Sequence, residues 1–308
     1  MHRNVEITIA PEHTDGLLNR FQKFEEVISL SVSRGASVKP PGDVIHVRAL
    51  NSVADEIMRA ISEYAGHTRV VAATSDIASL TDKEHQETIE NDSDDQLWEE
   101  VETGLRQTTH VTFNYLLLMG LGGVISAAGL ALDGIEMGIA FVSASIIAPG
   151  LEPLAKIPMG LVLKSPAVAR RAGWSFLAGY GVLTITAALT FWLLNQTGIA
   201  NPSIVEAKTD LHHIMDNHPP QNIISFCGAL AGLIMIASHR EEVIAGAIMA
   251  LELIPAAALA ASGIVTAHKG LFWLGAIRFG IDISLVVTIA AAFIWLKQHL
   301  VHRRRAMI

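Results

Sequence analysis

Long apolar runs fill the chain from residue 111 onward, whereas apolar and polar positions alternate over short distances before it. A helix needs about 20 mostly apolar residues to cross a bilayer. Six runs, one of them short, follow in two sets of three and predict a six-span α-helical membrane domain over residues 111–298. The runs are Phe113–Leu132, Met137–Leu163, Trp174–Leu194, Ile223–Ala237, Val243–Val265 and Leu271–Leu296.

Two of the runs are interrupted by proline beside a carboxylate. The second contains Ala148-Pro149-Gly150-Leu151-Glu152-Pro153, and the fifth contains Glu252-Leu253-Ile254-Pro255. A proline inside a helix removes a backbone donor and clashes with the preceding turn. Broken helices persist at membrane depth only where protein or a water-filled cavity shelters the freed backbone groups. We therefore expect broken helices, with the breaks at Pro149, Gly150, Pro153 and Pro255.

The two sets of runs resemble each other beyond these interruptions. Phe191-Trp192-Leu193-Leu194 ends the third run as Phe293-Ile294-Trp295-Leu296 ends the sixth, and Gly179-Tyr180-Gly181 falls opposite Gly280-Ile281-Asp282. The pattern predicts two repeats over about residues 113–194 and 223–296, with chance similarity of apolar stretches as the alternative. An odd number of spans in each repeat inverts one relative to the other, as in many secondary transporters.

Residues 1–76 are predicted to form a small α+β domain with the element order βαββαβ. Such an order is typical of a ferredoxin-like split βαβ sandwich. Domains of this kind often sense a ligand or self-associate. A structural or oligomerising role is at least the equal of a sensor role here, because fold alone does not define function. Strands are predicted at residues 5–9, 28–32, 44–49 and 70–73, helices at about 17–27 and 51–66, and a turn at 39–43.

Charge separates the two parts of the chain. Residues 1–110 carry 20 acidic and 10 basic side chains, and the remainder carries 10 acidic and 12 basic. Many of the acids lie in residues 77–110, which we interpret as an acidic linker followed by an amphipathic helix. The start of the chain lacks the apolar core of a signal peptide. The single Cys227 excludes an intrachain disulfide.

Basic residues predict the orientation in the membrane. Loops that carry Lys and Arg stay on the cytoplasmic side. We therefore expect a multi-pass protein of the cell (inner or plasma) membrane with both termini cytoplasmic. In that topology the basic residues on the cytoplasmic side are Lys164, Arg170, Arg171, Arg240 and those of the basic tail at residues 299–308. The loops on the outer side contain only Lys208 and Lys269.

Three features occur between Phe113 and Leu163. They are a glycine-rich first span, an Asp after it, and a run of small residues that ends in an Ala-Pro-x-x-x-Pro-like break. The positions are Gly120, Gly122, Gly129, Asp133, Ala148, Pro149 and Pro153. This pattern resembles the membrane proteins of the domain-of-unknown-function family 389. One departure is Gly150-Leu151-Glu152, where a Leu-Met-Gly-like stretch is more usual. The resemblance implies six spans behind a small cytoplasmic domain and supplies no activity.

Charges inside the apolar runs are the candidate binding residues, because they are costly in lipid and usually functional. Glu152 and Glu252 can bind a cation, take up a coupling proton or hydrogen-bond a polar substrate. The structural alternative is a neutral carboxyl, or one paired with Lys156 or a backbone donor. Arg278 precedes Asp282 by four residues and shares its helical face, which favours an internal ion pair, and a pair that lines a pathway would look identical. Half-helix ends at the breaks offer dipole ends to a solute.

No arrangement of residues points to catalysis. The sequence has no P-loop, no activated Ser or Cys arrangement and no recognised zinc spacing, even among the acids and histidines of residues 210–218. We therefore expect no enzymatic activity, no cofactor and no metal. Arg303-Arg304-Arg305 suits anionic lipid headgroups better than nucleic acid.

The leading hypothesis is a secondary transporter or permease for a small polar or charged solute, with proton or ion coupling through Glu152 or Glu252. The N-terminal domain would regulate it or join subunits. The alternative is a membrane-anchored sensor or scaffold whose N-terminal domain binds the ligand, and a channel is the third hypothesis. Glycine-rich faces on the first and fourth spans favour a homo-oligomer, and they suit internal packing equally well.

Overall fold

The computed structural model describes residues 2–65, 69–77, 82, 111–162, 165–237 and 252–300, and the chain divides into two compact units. Several predicted features lie outside the described residues. They are nearly all of the acidic linker at 77–110 with its amphipathic helix, the inner-loop residues Lys164 and Arg240, the first part of the fifth run, and residues 301–308 of the basic tail.

The N-terminal unit is a four-stranded antiparallel sheet with two helices. Its elements are β1 (His2–Ile9), α1 (Pro11–Phe21), β2 (Val27–Val38), β3 (Pro41–Ala49), α2 (Asn51–Ala65) and β4 (Val71–Ile77). This chain order agrees with the predicted βαββαβ. The strands lie in the order β2-β3-β1-β4, so β1 and β3 are central. Each helix connects two strands that are not adjacent in the sheet, α1 between β1 and β2 and α2 between β3 and β4.

Alternation along β1 creates the core of this unit. Val5, Ile7 and Ile9 are buried, while Glu6 between them is exposed. Successive side chains of a strand point to opposite faces of the sheet, so the buried residues share one apolar face. Leu17 of α1 belongs to the same buried cluster, together with residues of α2, and both helices therefore cover that face.

The hairpin between β2 and β3 is tighter than the sequence predicted. β2 ends at Val38 and β3 begins at Pro41, inside the expected turn at residues 39–43, so only Lys39 and Pro40 lie between the strands. Gly42 therefore lies within β3, where a Cβ would come closer than 3.0 Å to the backbone oxygen of Ile9. The close approach of β1, rather than a turn, explains why this position holds glycine.

Asp43, predicted as a turn residue, is a buried residue of β3. Its carboxylate accepts hydrogen bonds from the backbone N–H of Gly35 at 2.7 Å and from Oγ1 of Thr14 at 2.8 Å. Nη1 of Arg34 lies 3.9 Å from the same carboxylate. The bond from Gly35, followed by that from Thr14, lowers the pKa of Asp43 against the opposing effect of burial. The charged carboxylate therefore ties β3 to α1 and β2.

The described part of the C-terminal unit is helical. Its helices are α3 (Phe113–Gly129), α4 (Gly134–Ile147), α5 (Leu151–Val162), α6 (Pro166–Gln196), α7 (Pro202–Glu206), α8 (Thr209–Met215), α9 (Pro219–Ala237), α10 (Leu253–Val265) and α11 (Lys269–Leu300). Two of them, α6 and residues 269–296 of α11, are long and apolar enough to cross a membrane. The pair α4 and α5 would make a third span, bent by 47°, and α3 and α10 are shorter apolar helices. The described residues thus hold two or three candidate spans.

Two helical hairpins, α5–α6 and α10–α11, pack against each other in the C-terminal unit, because α10 contacts α6 and α5 contacts α11. Glycines mark the closest approaches between helices. A Cβ on Gly123 of α3 would come closer than 3.0 Å to the backbone oxygen of Leu183 in α6. Gly160 lies against the backbone of Ala169 in the same way. Small residues at such contacts are typical of helix packing in membranes.

Candidate functional site

The first interruption divides the second apolar run into α4 and α5, as predicted. α4 ends at Ile147, α5 begins at Leu151, and the two helices are bent by 47°. Ala148 has an extended backbone, with φ −88° and ψ 118°. The N–H of Gly150 then turns back and donates to the oxygen of Ala148 at 2.8 Å. Pro149 and Gly150 therefore lie in the break itself.

Pro153 and Pro255 lie in helices rather than in breaks, so this part of the prediction was wrong. Pro153 is the third residue of α5, and Pro255 is the third residue of α10. The N–H groups in the first turn of a helix have no partner within the helix. A proline there loses no hydrogen bond, which is why these prolines start a helix instead of interrupting one.

Glu252 immediately precedes α10 and is hydrogen-bonded to a side chain of α11. Its backbone N–H donates to Oδ2 of Asp282 at 3.0 Å. Its backbone oxygen accepts from the N–H of Ala256, at 2.8 Å, in the first turn of α10. Residues 238–251 lie outside the described part of the chain, so the second predicted interruption is described only on its C-terminal side.

Arg278 and Asp282 form an ion pair on α11, as their spacing indicated, and both side chains are 0% exposed. Nη2 of Arg278 lies 3.0 Å from Oδ1 of Asp282. The guanidinium also donates to two side chains of α9, to Oγ of Ser225 and to Oδ1 of Asn222 at 3.5 Å. Nε of Arg278 and Oδ1 of Asp282 are buried without a hydrogen-bond partner in the described part of the chain. The pair is therefore close but not aligned as a hydrogen bond.

Tyr180 of α6 links the first break to the second hairpin. Its hydroxyl donates to the backbone oxygen of Gly150 at 3.3 Å, and its ring packs on Phe279 of α11 with centroids 5.1 Å apart. A Cβ on Gly150 would lie 2.6 Å from the Tyr180 hydroxyl and 2.7 Å from Cδ1 of Ile254. Glycine therefore allows the break to touch the first turn of α10. The starts of α5 and α10 meet at this point.

Glu152 is more exposed than expected and forms a separate pair. Its side chain is 38% exposed, and Oε2 lies 2.8 Å from Nζ of Lys156, which is 5% exposed. The expectation of a buried carboxyl beside the break was therefore wrong, because it is the lysine that is buried. The structural alternative, pairing with Lys156, agrees with this geometry. Glu152 also lies close enough to the hydroxyl of Tyr115 to interact electrostatically.

Three polar side chains of the site were not predicted: Tyr180, Ser225 and Asn222. Their partners lie 30, 53 and 56 residues away in the sequence. Tyr180 gave a signal, since its Gly-Tyr-Gly triplet was matched with the triplet that ends in Asp282. Ser225 and Asn222 stand at the start of an apolar run, and no local pattern distinguishes them from ordinary helix residues.

The site combines one buried guanidinium, two neighbouring carboxyls and the starts of two helices. Glu252 lies close enough to Asp282 and Arg278 to interact electrostatically with both. A helix N-terminus carries partial positive charge. Such an arrangement can hold a charged or polar solute within an apolar domain. In the part of the chain that the structure describes, no three His, Cys, Asp or Glu side chains are arranged to hold a metal ion.

The C-terminal unit belongs to the class of helical domains with candidate membrane spans. It has long apolar helices, a pair of helices separated by a break, and two fully buried charges. Residues 146–298 match the family model described as "Domain of unknown function (DUF389)", and the chain carries a domain of this family. The match confirms the resemblance from residue 146 onward. It includes all of the predicted site residues, whereas Gly120, Gly122, Gly129 and Asp133 lie before it. No curated protein and no solved structure matches the chain.

Proposed function

We propose that the chain is a secondary transporter for a small polar or charged solute, which binds where the starts of α5 and α10 meet. The observation that carries this proposal is the contact of Gly150 with Ile254, beside the buried pair Arg278–Asp282. Transporters of this type bind solutes near the bilayer midplane, at discontinuous helices that belong to an internal repeat. The N-terminal domain regulates the transporter or joins its subunits.

Matching contacts in the two hairpins support an internal repeat. In each hairpin, the residue before the first helix is held by a side chain 30 residues later, on the second helix. Gly150 is held by Tyr180, and Glu252 is held by Asp282. Proline is also the third residue of the first helix in both hairpins. The proposal therefore includes six spans in two inverted three-span repeats, over about residues 113–194 and 223–296.

The proposed orientation places both termini in the cytoplasm and the helical unit in the cell (inner or plasma) membrane. Three loops predicted on the outer side contact one another, which supports their lying on a common side. Nζ of Lys208 lies 2.9 Å from Oδ1 of Asp133, and Oε2 of Glu206 lies 3.5 Å from Nε2 of His268. The excess of basic residues in the other loops makes that common side the outside. Membrane lipid and further copies of the chain are the proposed partners besides the solute.

A membrane-anchored ligand sensor is the second candidate, and a cavity in the N-terminal unit favours it. The cavity has a volume of about 500 Å³ and is lined by Arg20 of α1, by Lys23 in the turn after it, and by Arg59 and Glu56 of α2, among others. Ligand sites typically measure about 300–1,000 Å³. Three basic side chains against one acidic side chain suit an anionic ligand. In this alternative the helical unit anchors the sensor or transmits its signal.

Flux through the purified, reconstituted protein tests the transporter. Ions, amino acids, nucleotides and organic acids are added in turn to proteoliposomes that contain a pH-sensitive dye. We expect at least one solute to drive proton movement in the wild-type protein. Glu152→Gln with Glu252→Gln should abolish that movement if one of these two carboxyls carries the coupling proton. Glu136→Gln is the matched control, because Glu136 is an exposed carboxyl in the first turn of α4. This control should leave flux unchanged.

The sensor makes the opposite prediction. No solute would move, an anion such as a nucleotide would raise the melting temperature of the full-length protein by mass action, and Lys23→Gln with Arg59→Gln would remove that shift. Normal flux in the Glu152→Gln, Glu252→Gln double variant would instead support the transporter proposal and refute proton coupling through these two carboxyls.

A further inference from the structure

Arg278 is fully buried and keeps its positive charge, because a guanidinium is not deprotonated in proteins. A buried charge needs a partner of opposite charge. Asp282 supplies that partner at 3.0 Å. Nε of Arg278 and Oδ1 of Asp282 nevertheless make no hydrogen bond within the described residues. Both groups can therefore each form one more hydrogen bond in the interior, next to the point where the N-terminal ends of α5 and α10 meet.

The charges around the pair do not balance if both carboxyls are ionised. Asp282 and Glu252 both lie close to the single guanidinium of Arg278. Two like charges in a low dielectric disfavour each other, so the cluster is most stable with one carboxyl protonated. The partners on α9 are uncharged. Among the described residues, Glu252 before α10 and Tyr180 on α6 are titratable groups that interact electrostatically with Asp282. Glu152 and Lys156 lie on α5, which packs against α11, and they pair with each other.

We infer that the solute is a small carboxylate, which replaces Asp282 as the partner of Arg278 while Asp282 takes up one proton. This inference rests on the proposed function and adds to it the chemical class of the solute. It assigns the coupling proton to Asp282 instead of Glu152 or Glu252. The proton comes from solvent and forms one O–H bond on the Asp282 carboxyl, and no other bond forms or breaks. When the carboxylate leaves, Asp282 releases the proton and pairs with Arg278 again.

The donors around Arg278 favour a carboxylate over other solutes. The planar guanidinium binds two carboxylate oxygens at once through neighbouring N–H groups, which a rounder or cationic solute does not match. Nε is the donor of Arg278 that lacks a partner, and it lies on an edge of that plane. The start of α10 adds partial positive charge, and its preceding N–H, at Glu252, already points at a carboxylate oxygen of Asp282. A solute carboxylate would meet the same kind of donors.

Charge compensation couples the proton to the anion. If a solute carboxylate occupied Arg278 while Asp282 stayed ionised, a second negative charge would remain buried without a cation, which is strongly unfavourable. Protonation of Asp282 removes that charge, and its Oδ2 still accepts from the N–H of Glu252. Because one proton accompanies each anion, the affinity for carboxylates should fall about tenfold per pH unit where Asp282 must gain the proton from solvent.

Acetate, lactate and succinate are the probes for this inference, with choline as a cationic control. Calorimetric titration of the full-length protein in detergent, in two buffers of different ionisation enthalpy, counts the protons taken up per anion. For the wild-type protein we expect about one proton per carboxylate. We also expect an affinity that falls about tenfold for each unit by which the pH rises, once Asp282 is ionised in the solute-free protein. Asp282→Asn should bind the carboxylate without proton uptake and with little dependence on pH.

A variant with both charges removed controls for folding. Arg278→Gln with Asp282→Asn keeps a neutral hydrogen-bonding pair, and it should elute and melt as a folded protein but lose carboxylate binding. Carboxylate binding that persists in this folded variant would overturn the inference. So would proton uptake that is lost in Glu252→Gln and retained in Asp282→Asn. If the reconstituted protein moves another solute and binds none of the three carboxylates, the inference fails and the transporter stands. If nothing moves, the proposed function itself fails.

Discussion

Removing one member of the Arg278–Asp282 pair should destabilise the protein far more than removing both. Arg278→Met or Asp282→Leu leaves a charge with 0% exposure without its ion-pair partner, which costs about 3–5 kcal/mol. The double variant removes both charges of the pair and keeps a similar volume, and such replacements are about neutral. It still leaves the hydroxyl of Ser225 without the guanidinium and the N–H of Glu252 without the Asp282 carboxylate, at a cost of about 1 kcal/mol each. The double variant should therefore be within about 2 kcal/mol of the wild-type protein.

Unfolding free energies for this comparison come from titration of the detergent-purified protein with SDS, followed by circular dichroism. Asp133→Leu is the matched control, because it removes one member of a pair, Lys208–Asp133, in which Asp133 is 84% exposed. Lys208 is 13% exposed and keeps the backbone oxygens of Leu130 and Leu132 as partners, so loss of the exposed carboxylate should cost at most about 1 kcal/mol. The double variant could instead lose as much free energy of unfolding as the two single variants together. The two charges would then not compensate each other, and the reasoning would be refuted.

Two further predictions concern packing and pH. Gly123→Ala places a Cβ against the backbone oxygen of Leu183 and should cost about 1–3 kcal/mol in the same titration. Gly181→Ala is the control: its Cβ would have nothing within 4 Å, and stability should change by at most about 1 kcal/mol. Equal losses of stability in the two variants would contradict the close approach of α3 and α6. The pKa of Asp43 is lowered in the folded state, chiefly by the bond from Gly35. Its stabilising effect is therefore complete above the unfolded pKa of about 4 and is lost as pH falls through the folded pKa. Pepsin cleavage of the N-terminal unit should rise more steeply with acid in the wild-type protein than in Asp43→Asn, and parallel pH dependences would argue against this role.

Features that depend on neighbours within one element could be predicted from the sequence. Alternation over residues 5–9 predicted β1, because the period of a strand is visible in any short stretch. The spacing of Arg278 and Asp282 predicted their pairing, because residues four apart meet on a helix whatever surrounds it. The break at Pro149 and Gly150 followed from proline chemistry alone. The family resemblance, drawn partly from the same break, is confirmed over residues 146–298.

Features set by distant parts of the chain could not be predicted in this way. Tyr180 and Ser225 are ordinary helix residues in the sequence, and they become site residues only because helices from elsewhere face them. Asp43 follows Pro-Pro-Gly and therefore looked like a turn residue, but donors from α1 and β2 hold it inside β3. No local pattern indicates which side of α5 Glu152 occupies, and it is Lys156 that turns inward.

The glycine contacts within the second hairpin have a mechanical consequence. Gly263 lies against the backbone of Phe272, and Gly275 lies against the backbone of Ala260, so α10 and α11 meet main chain to main chain at two levels. Side chains can absorb a displacement by changing rotamer, whereas two backbones in contact have no such freedom. The hairpin should therefore move as one rigid body. A displacement at the loop that joins α10 to α11 would then reach Glu252, at the other end of α10, without being absorbed along the way.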